Sequence, residues 1–249
     1  MRRTIVVTVA LAAVFANPSG AQADEIRVWT ARAIATVLAE VGGEFERATG
    51  HTLIVTSDLP PAFLRRLNAD EPFDLFISGS APVDEWIRNG KIVAETRTDL
   101  ARSGIGVEVR TGSRKPDIST VEAFKRALLN ARSIAYLRVG SGVYLEGLLE
   151  RLGISKALES KVVRPESDIV SELVAKGEVE LGMTVVTQIL TTPGVDFVGP
   201  LPPELQSYVT FVAGISSRSK APAATRDLIQ FLTGPRARAV MKAQGMEPR

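Results

Sequence analysis

Three charged side chains stand where a short β-rich run gives way to the next element: Arg32 after EIRVWT, Asp58 after TLIVT and Arg138 after SIAYL. A guanidinium meets a carboxylate through two parallel N–H···O bonds, so two arginines at strand ends suit an anion that carries more than one carboxyl group. Small hydroxyl and glycine residues accompany them. Thr30, Ser57 and Thr184 sit at strand ends, and Ser78-Gly79-Ser80 closes the run FDLFIS with two hydroxyls that serve as ligand donors, as caps of a following helix, or as both. Gly140-Ser141-Gly142 forms a turn whose backbone N–H groups suit an anion, leading into a helix that begins with Tyr144. Asp168, after Ser167, is either the N-cap of its helix or a ligand contact.

Other chemistries are excluded by what the chain lacks. Without cysteine there is no disulfide, thiol nucleophile or thiolate metal site. His51 is the single histidine and precedes a strand at the end away from these loops, where it reads as a surface residue. That disfavours a histidine-based triad, and with no HExxH, P-loop or dinucleotide fingerprint, no metal and no cofactor are expected.

The chain has 249 residues, 45% hydrophobic and 23% charged, enough for one large or two modest domains. Its first 23 residues combine Arg2 and Arg3, an apolar run from Ile5 to Ala16, and Ala21-Gln22-Ala23, the three parts of a cleavable export signal. The apolar run falls short of the roughly 20 residues that cross a bilayer. Setting the two arginines aside leaves 28 basic residues against 28 acidic ones, so no basic footprint for nucleic acid remains. A small anion in the periplasm, met by a monomer, is the expected partner.

The hydrophobic spacing predicts where these residues lie. Glu25–Thr30, Thr52–Thr56 and Phe73–Ser78 read as strands separated by helices, the first over Ala33–Arg47. A second unit follows: strand Ser133–Leu137, helix Tyr144–Leu152, strand Lys161–Arg164, helix Asp168–Lys176, strand Leu181–Val186. Strand–helix alternation implies parallel sheets with crossover helices, whose ligands bind at the carboxyl ends of the strands. Ser103–Arg110 and Ser207–Ile215 read as paired hinge strands, with Tyr208 and Phe211 packing hinge and core. The expected fold is α/β and two-lobed, with parallel or mixed sheets flanked by helices. Its N-lobe is 24–103 plus 210–249 and its C-lobe 104–209, and the last helices return to the first lobe.

EIRVWT, EFERATGHTLIVTSD, PFDLFISGS, WIRNGKI, SGVYLEGLLERLGI, VAKGEVELGM and FLTGPRARAVMKAQGM together resemble, in order and over nearly the whole chain after the signal, the periplasmic solute-binding proteins of ABC transporters, in their molybdate-binding lineage. That resemblance implies the type II binding-protein fold, and a permease partner if the chain is a receptor. Its anion site departs from the lineage. Thr30-Ala31-Arg32-Ala33 stands where the family carries Ala-Ala-Ala-Ser, Pro60 and Pro61 replace part of a serine run and remove two N–H donors, and Gly182-Met183-Thr184-Val185 lacks the family tyrosine.

The loops TARAIATVL, TSDLPPAF and LRVGSGVY resemble an isomerase branch of this lineage that interconverts trans- and cis-aconitate without a cofactor. On that resemblance Arg32 and Arg138 clamp carboxylates. Asp58 is the general base of an allylic proton shift, or else it orders the Pro60-Pro61 turn. In place of Asp58, Tyr144 or Ser141 is the alternative proton carrier. Thr30, Ser57, Ser78, Ser80, Gly140, Asp168 and Thr184 complete the expected ligand contacts. The alternative is a receptor for an organic carboxylate or a molybdate-like oxyanion.

Overall fold

A computed structural model describes residues 23–167 and 169–249. Residues 1–22 of the expected export signal, and Asp168, lie outside them. The N-terminal half runs β1 (Glu25–Thr30), α1 (Arg32–Thr49), β2 (Thr52–Ser57), α2 (Pro60–Asn68), β3 (Leu75–Gly79) and α3 (Ser80–Arg88). Then come β4 (Thr98–Arg110), α4 (Val121–Asn130), β5 (Ile134–Ala135), α5 (Ser141–Arg151), α6 (Ser155–Leu158), β6 (Val162–Val163), α7 (Val170–Lys176), β7 (Leu181–Val185), α8 (Val186–Thr191) and β8 (Val195–Pro200). The chain returns through β9 (Tyr208–Ile215), α9 (Pro222–Leu232), α10 (Pro235–Ala243) and β10 (Glu247–Pro248).

The fold is the expected two-lobe α/β architecture. In the first lobe β1 lies parallel between β2 and β3, with Trp29 opposite Thr56 on one side and Phe76 on the other. Ile34, Val37, Leu38, Val41 and Phe45 recur at helical spacing on α1, and this face is buried against Ile26 and Val28 of β1. Gly50, with φ of +79°, turns the chain out of α1 in the left-handed conformation. Leu228, Leu232, Val240 and Met241 bring α9 and α10 back onto the same core. In the second lobe β5 is parallel to β6 and β7, and its core gathers Phe124, Tyr136, Leu145, Leu148 and Met183.

β4 joins the lobes. Its residues from Thr98 to Gly104 pair antiparallel with β9, and from Ile105 to Val109 it pairs with β7, with β8 alongside. At the handover, the Gln206 side chain accepts from the Ile105 amide at 3.0 Å and donates to the Ile105 carbonyl at 3.0 Å, adding to the backbone bonds that Ile105 makes with Ser207 and Leu201.

Two expectations are corrected here. His51 is buried, only 8% exposed: Nδ1 accepts from the Asp24 amide at 3.1 Å and the ring stacks on Phe45. An imidazole at the root of a sheet can bury its apolar ring while one nitrogen serves as a backbone acceptor. Tyr208 does not pack into the core. It is 45% exposed, with the Arg102 guanidinium 4.2 Å over its ring.

Candidate functional site

Between the lobes lies a cavity of about 750 Å³, and its walls are helix beginnings. Ala31, Arg32 and Ala33 open α1; Leu59, Pro60 and Pro61 open α2; Gly79, Ser80 and Ala81 open α3; and Gly140 and Ser141 open α5. All four helices follow a strand or a turn after one, so the carboxyl ends of both sheets converge on one space. Free N–H groups and aligned peptide dipoles make such beginnings attractive to negative charge. α2 is the exception in kind: Pro60 and Pro61 occupy its first turn, so there it presents apolar rings in place of donors. Trp86, Val139, Val143 and Val209 extend the apolar wall, and Trp86 stacks on Phe76 at 4.1 Å beneath it.

The turn into α5 depends on two glycines. Gly140 has φ of +58°, which a side chain resists, and a Cβ on Gly142 would lie 1.6 Å from the Leu137 carbonyl oxygen. The backbone therefore passes itself closely enough to aim the start of α5 at the cavity.

Of the residues singled out from sequence, Arg32, Asp58, Ser78, Ser80, Gly140, Ser141 and Tyr144 line this cavity, whereas Thr30, Ser57, Arg138 and Thr184 do not. Thr30 faces inward, fully buried, with its hydroxyl on the Ala31 carbonyl. Thr184 is buried with its hydroxyl donated to Gln188 Oε1. Ser57, the last residue of β2, and Arg138, after β5, are exposed. Residues at the end of a strand alternate between faces, so position along the chain does not by itself decide which side chain reaches the ligand space.

Several of the lining groups are already engaged. Asp58 Oδ1 accepts from the Leu59 amide at 2.8 Å, the turn-ordering bond, and the Tyr144 hydroxyl donates to the Leu205 carbonyl at 2.8 Å. Ser80 is the first residue of α3 and its side chain is not the cap, which is Gly79 without a side-chain bond.

The arginine fork meets a group the sequence reading passed over. Nη2 of Arg32 donates to Oε1 of Glu172 on α7, pairing the two lobes across the cleft. Leu59 also crosses, packing with Val139 against Leu137 and Val170 of the second lobe. Gln188, another missed residue, lines the floor. Glu172 carries no local signal, since only the tertiary approach of α7 to α1 brings it to Arg32.

Behind Leu137, Tyr136 is buried and accepts from Arg164 Nη2 at 2.8 Å. Burial pushes its phenol above the ordinary value, against the pull of the Arg164 charge. Among the described residues no group of acidic or histidine side chains is arranged to hold a metal, and no helix is long and apolar enough to cross a membrane.

An interlobe cleft ringed by helix beginnings on this β–α framework defines a class of ligand-binding proteins. The family model for bacterial extracellular solute-binding proteins matches residues 26–247, and the chain belongs to that family. The chain is 32% identical to an aconitate isomerase of Pseudomonas sp over 229 residues, which cover 90% of this chain and 87% of that one. It is 26% identical to the molybdate-binding protein ModA of Azotobacter vinelandii, over 90% of each. The solved periplasmic molybdate-binding protein of Azotobacter vinelandii superposes with a TM-score of 0.74 at 21% identity, covering 89% of this chain and 98% of that one.

Proposed function

We propose that the cleft binds an unsaturated tricarboxylate and moves its double bond, converting trans-aconitate to cis-aconitate and back. The observation that carries this reading is the meeting of Arg32 and Asp58 in one largely apolar cavity walled by the Pro60-Pro61 turn. A bare oxyanion would find fewer N–H donors at α2, while a carbon skeleton would find an apolar surface there. The relative named an aconitate isomerase supports the same reading.

In this reading Asp58 lifts a proton from the methylene beside a carboxylate. The double bond shifts by one carbon, and the proton returns to the carbon that was vinylic, so nothing is gained or lost. Oδ1 stays on the Leu59 amide and Oδ2 carries the proton. The charge that spreads into the conjugated carboxylate during transfer is met by Arg32 and by the N-termini of α1, α3 and α5. Ser141 hydrogen-bonds the ligand, and Tyr144, tied to Leu205, positions the wall. Arg138, exposed beside the turn to Gly140, draws the polyanion toward the mouth. No cofactor takes part. The chain acts as a monomer in the periplasm, after export and removal of residues 1–23.

Purified protein is incubated with trans-aconitate and cis-aconitate is followed by chromatography. Turnover is expected, falling about ten- to a hundredfold in Arg32→Ala, which deletes a charge-assisted carboxylate bond, and by roughly a hundredfold or more in Asp58→Asn. Binding of a carboxylate or molybdate without turnover favours the second reading, a transport receptor delivering to an ABC permease, which the similarity to ModA supports.

A further inference from the structure

We propose that Glu172 is a resident competitor for the ligand: it holds the Arg32 guanidinium across the cleft until a ligand carboxylate takes its place. The inference rests on the carboxylate reading above. Arg32 is the first residue of α1 in one lobe and Glu172 belongs to α7 in the other, so the pair bridges the lobes at the edge of the cavity. Arg32 lines the cavity whereas Glu172 does not, so the acid approaches the guanidinium from outside the ligand space.

Glu172 is delivered by a fixed backbone. The neighbouring Ser171 is buried and its hydroxyl donates to Glu108 Oε1 at 2.9 Å, tying α7 to β4, and Gly177 ends the helix in the left-handed conformation. Yet the carboxylate itself is poorly served. Oε1 is on Arg32, while Oε2 is buried and has no hydrogen-bond partner among the described residues. The side chains remain 39% and 28% exposed, a setting in which an ion pair is held weakly and exchanges readily. A ligand carboxylate can offer both oxygens to the guanidinium, where Glu172 offers one. It also frees Glu172 to turn into water.

The test is a double-mutant cycle read by calorimetric titration with trans-aconitate: wild type, Glu172→Gln, Arg32→Ala, and the double variant, each first checked for a cooperative thermal transition. Glu172→Gln is expected to bind about two- to fivefold more tightly than wild type, the fold-change that corresponds to losing a half-exposed ion pair. The gain is expected to vanish in the Arg32→Ala background. Glu172→Asp, which keeps the charge but withdraws it by one methylene, is expected to recover part of the gain. Weaker or equal binding by Glu172→Gln, or a gain that persists without Arg32, overturns the competition. No binding of trans-aconitate by any of the four proteins removes the carboxylate reading itself, and the competition with it.

Discussion

At the scale of single residues, the site is built from side chains with two obligations. Arg32 is both a wall of the cavity and one half of the bridge between lobes, and Asp58 both orders its turn and faces the ligand space. Tyr136 has a simpler position with a measurable consequence. Its folded-state phenol is raised by burial above the value near 10 of an unfolded chain. A raised value means that its contribution to stability is whole below about pH 10 and is lost as pH rises through the folded value. Urea denaturation above about pH 10 is therefore expected to show a decline in wild type that is shallower in Tyr136→Phe. At this scale the sequence was informative about chemical type and less so about direction. Arg32, Asp58, Ser78 and Tyr144 were legible because they stand at or just past strand ends, or on the helix that the glycine turn opens. Thr30 and Thr184 follow the same rule, yet the sheet turns them inward, and Glu172 shows itself only once α7 is placed against α1.

At the scale of elements, two local devices position the site. The turn into α5 requires that residue 142 have no side chain. Gly142→Ala, whose Cβ must push against the Leu137 carbonyl, is expected to cost about 3 kcal/mol in chemical denaturation. Such a loss also moves the start of α5 away from the cavity, so ligand affinity is expected to fall with it. At the handover in β4, the Gln206 side chain accepts from the amides of Ile105 and Ser207 and donates to the Ile105 carbonyl. Gln206→Ala is expected to destabilise the protein by about 1 kcal/mol, measured the same way, because the Ser207 amide loses its acceptor while Ile105 keeps its backbone bonds to Ser207 and Leu201. The long periodic elements were readable in advance: α1, α9 and the alternation of β1, β2 and β3 follow from apolar spacing alone. β5 and β6 shrink to two residues each, and α8 and β8 were not read because segments this short hold their shape through the sheet around them; α3 and α4, of nine and ten residues, were not read either.

At the scale of the whole molecule, ligand binding and stability are one equilibrium, since only the folded chain has a cleft. Trans-aconitate at a hundredfold over its dissociation constant is expected to add about 2.7 kcal/mol, which raises Tm by roughly 5–10 °C for a protein of this size. Differential scanning calorimetry with molybdate in the parallel cell checks that the effect belongs to the carboxylate. β4 bears on the same equilibrium. Thirteen residues long, it is a member of both sheets, bonded to β9 in its first half and to β7 and β8 in its second. One unbroken backbone therefore ties the two sheets together, and the amides of both are expected to exchange in one opening event and the protein to melt in a single step, which hydrogen exchange and calorimetry check.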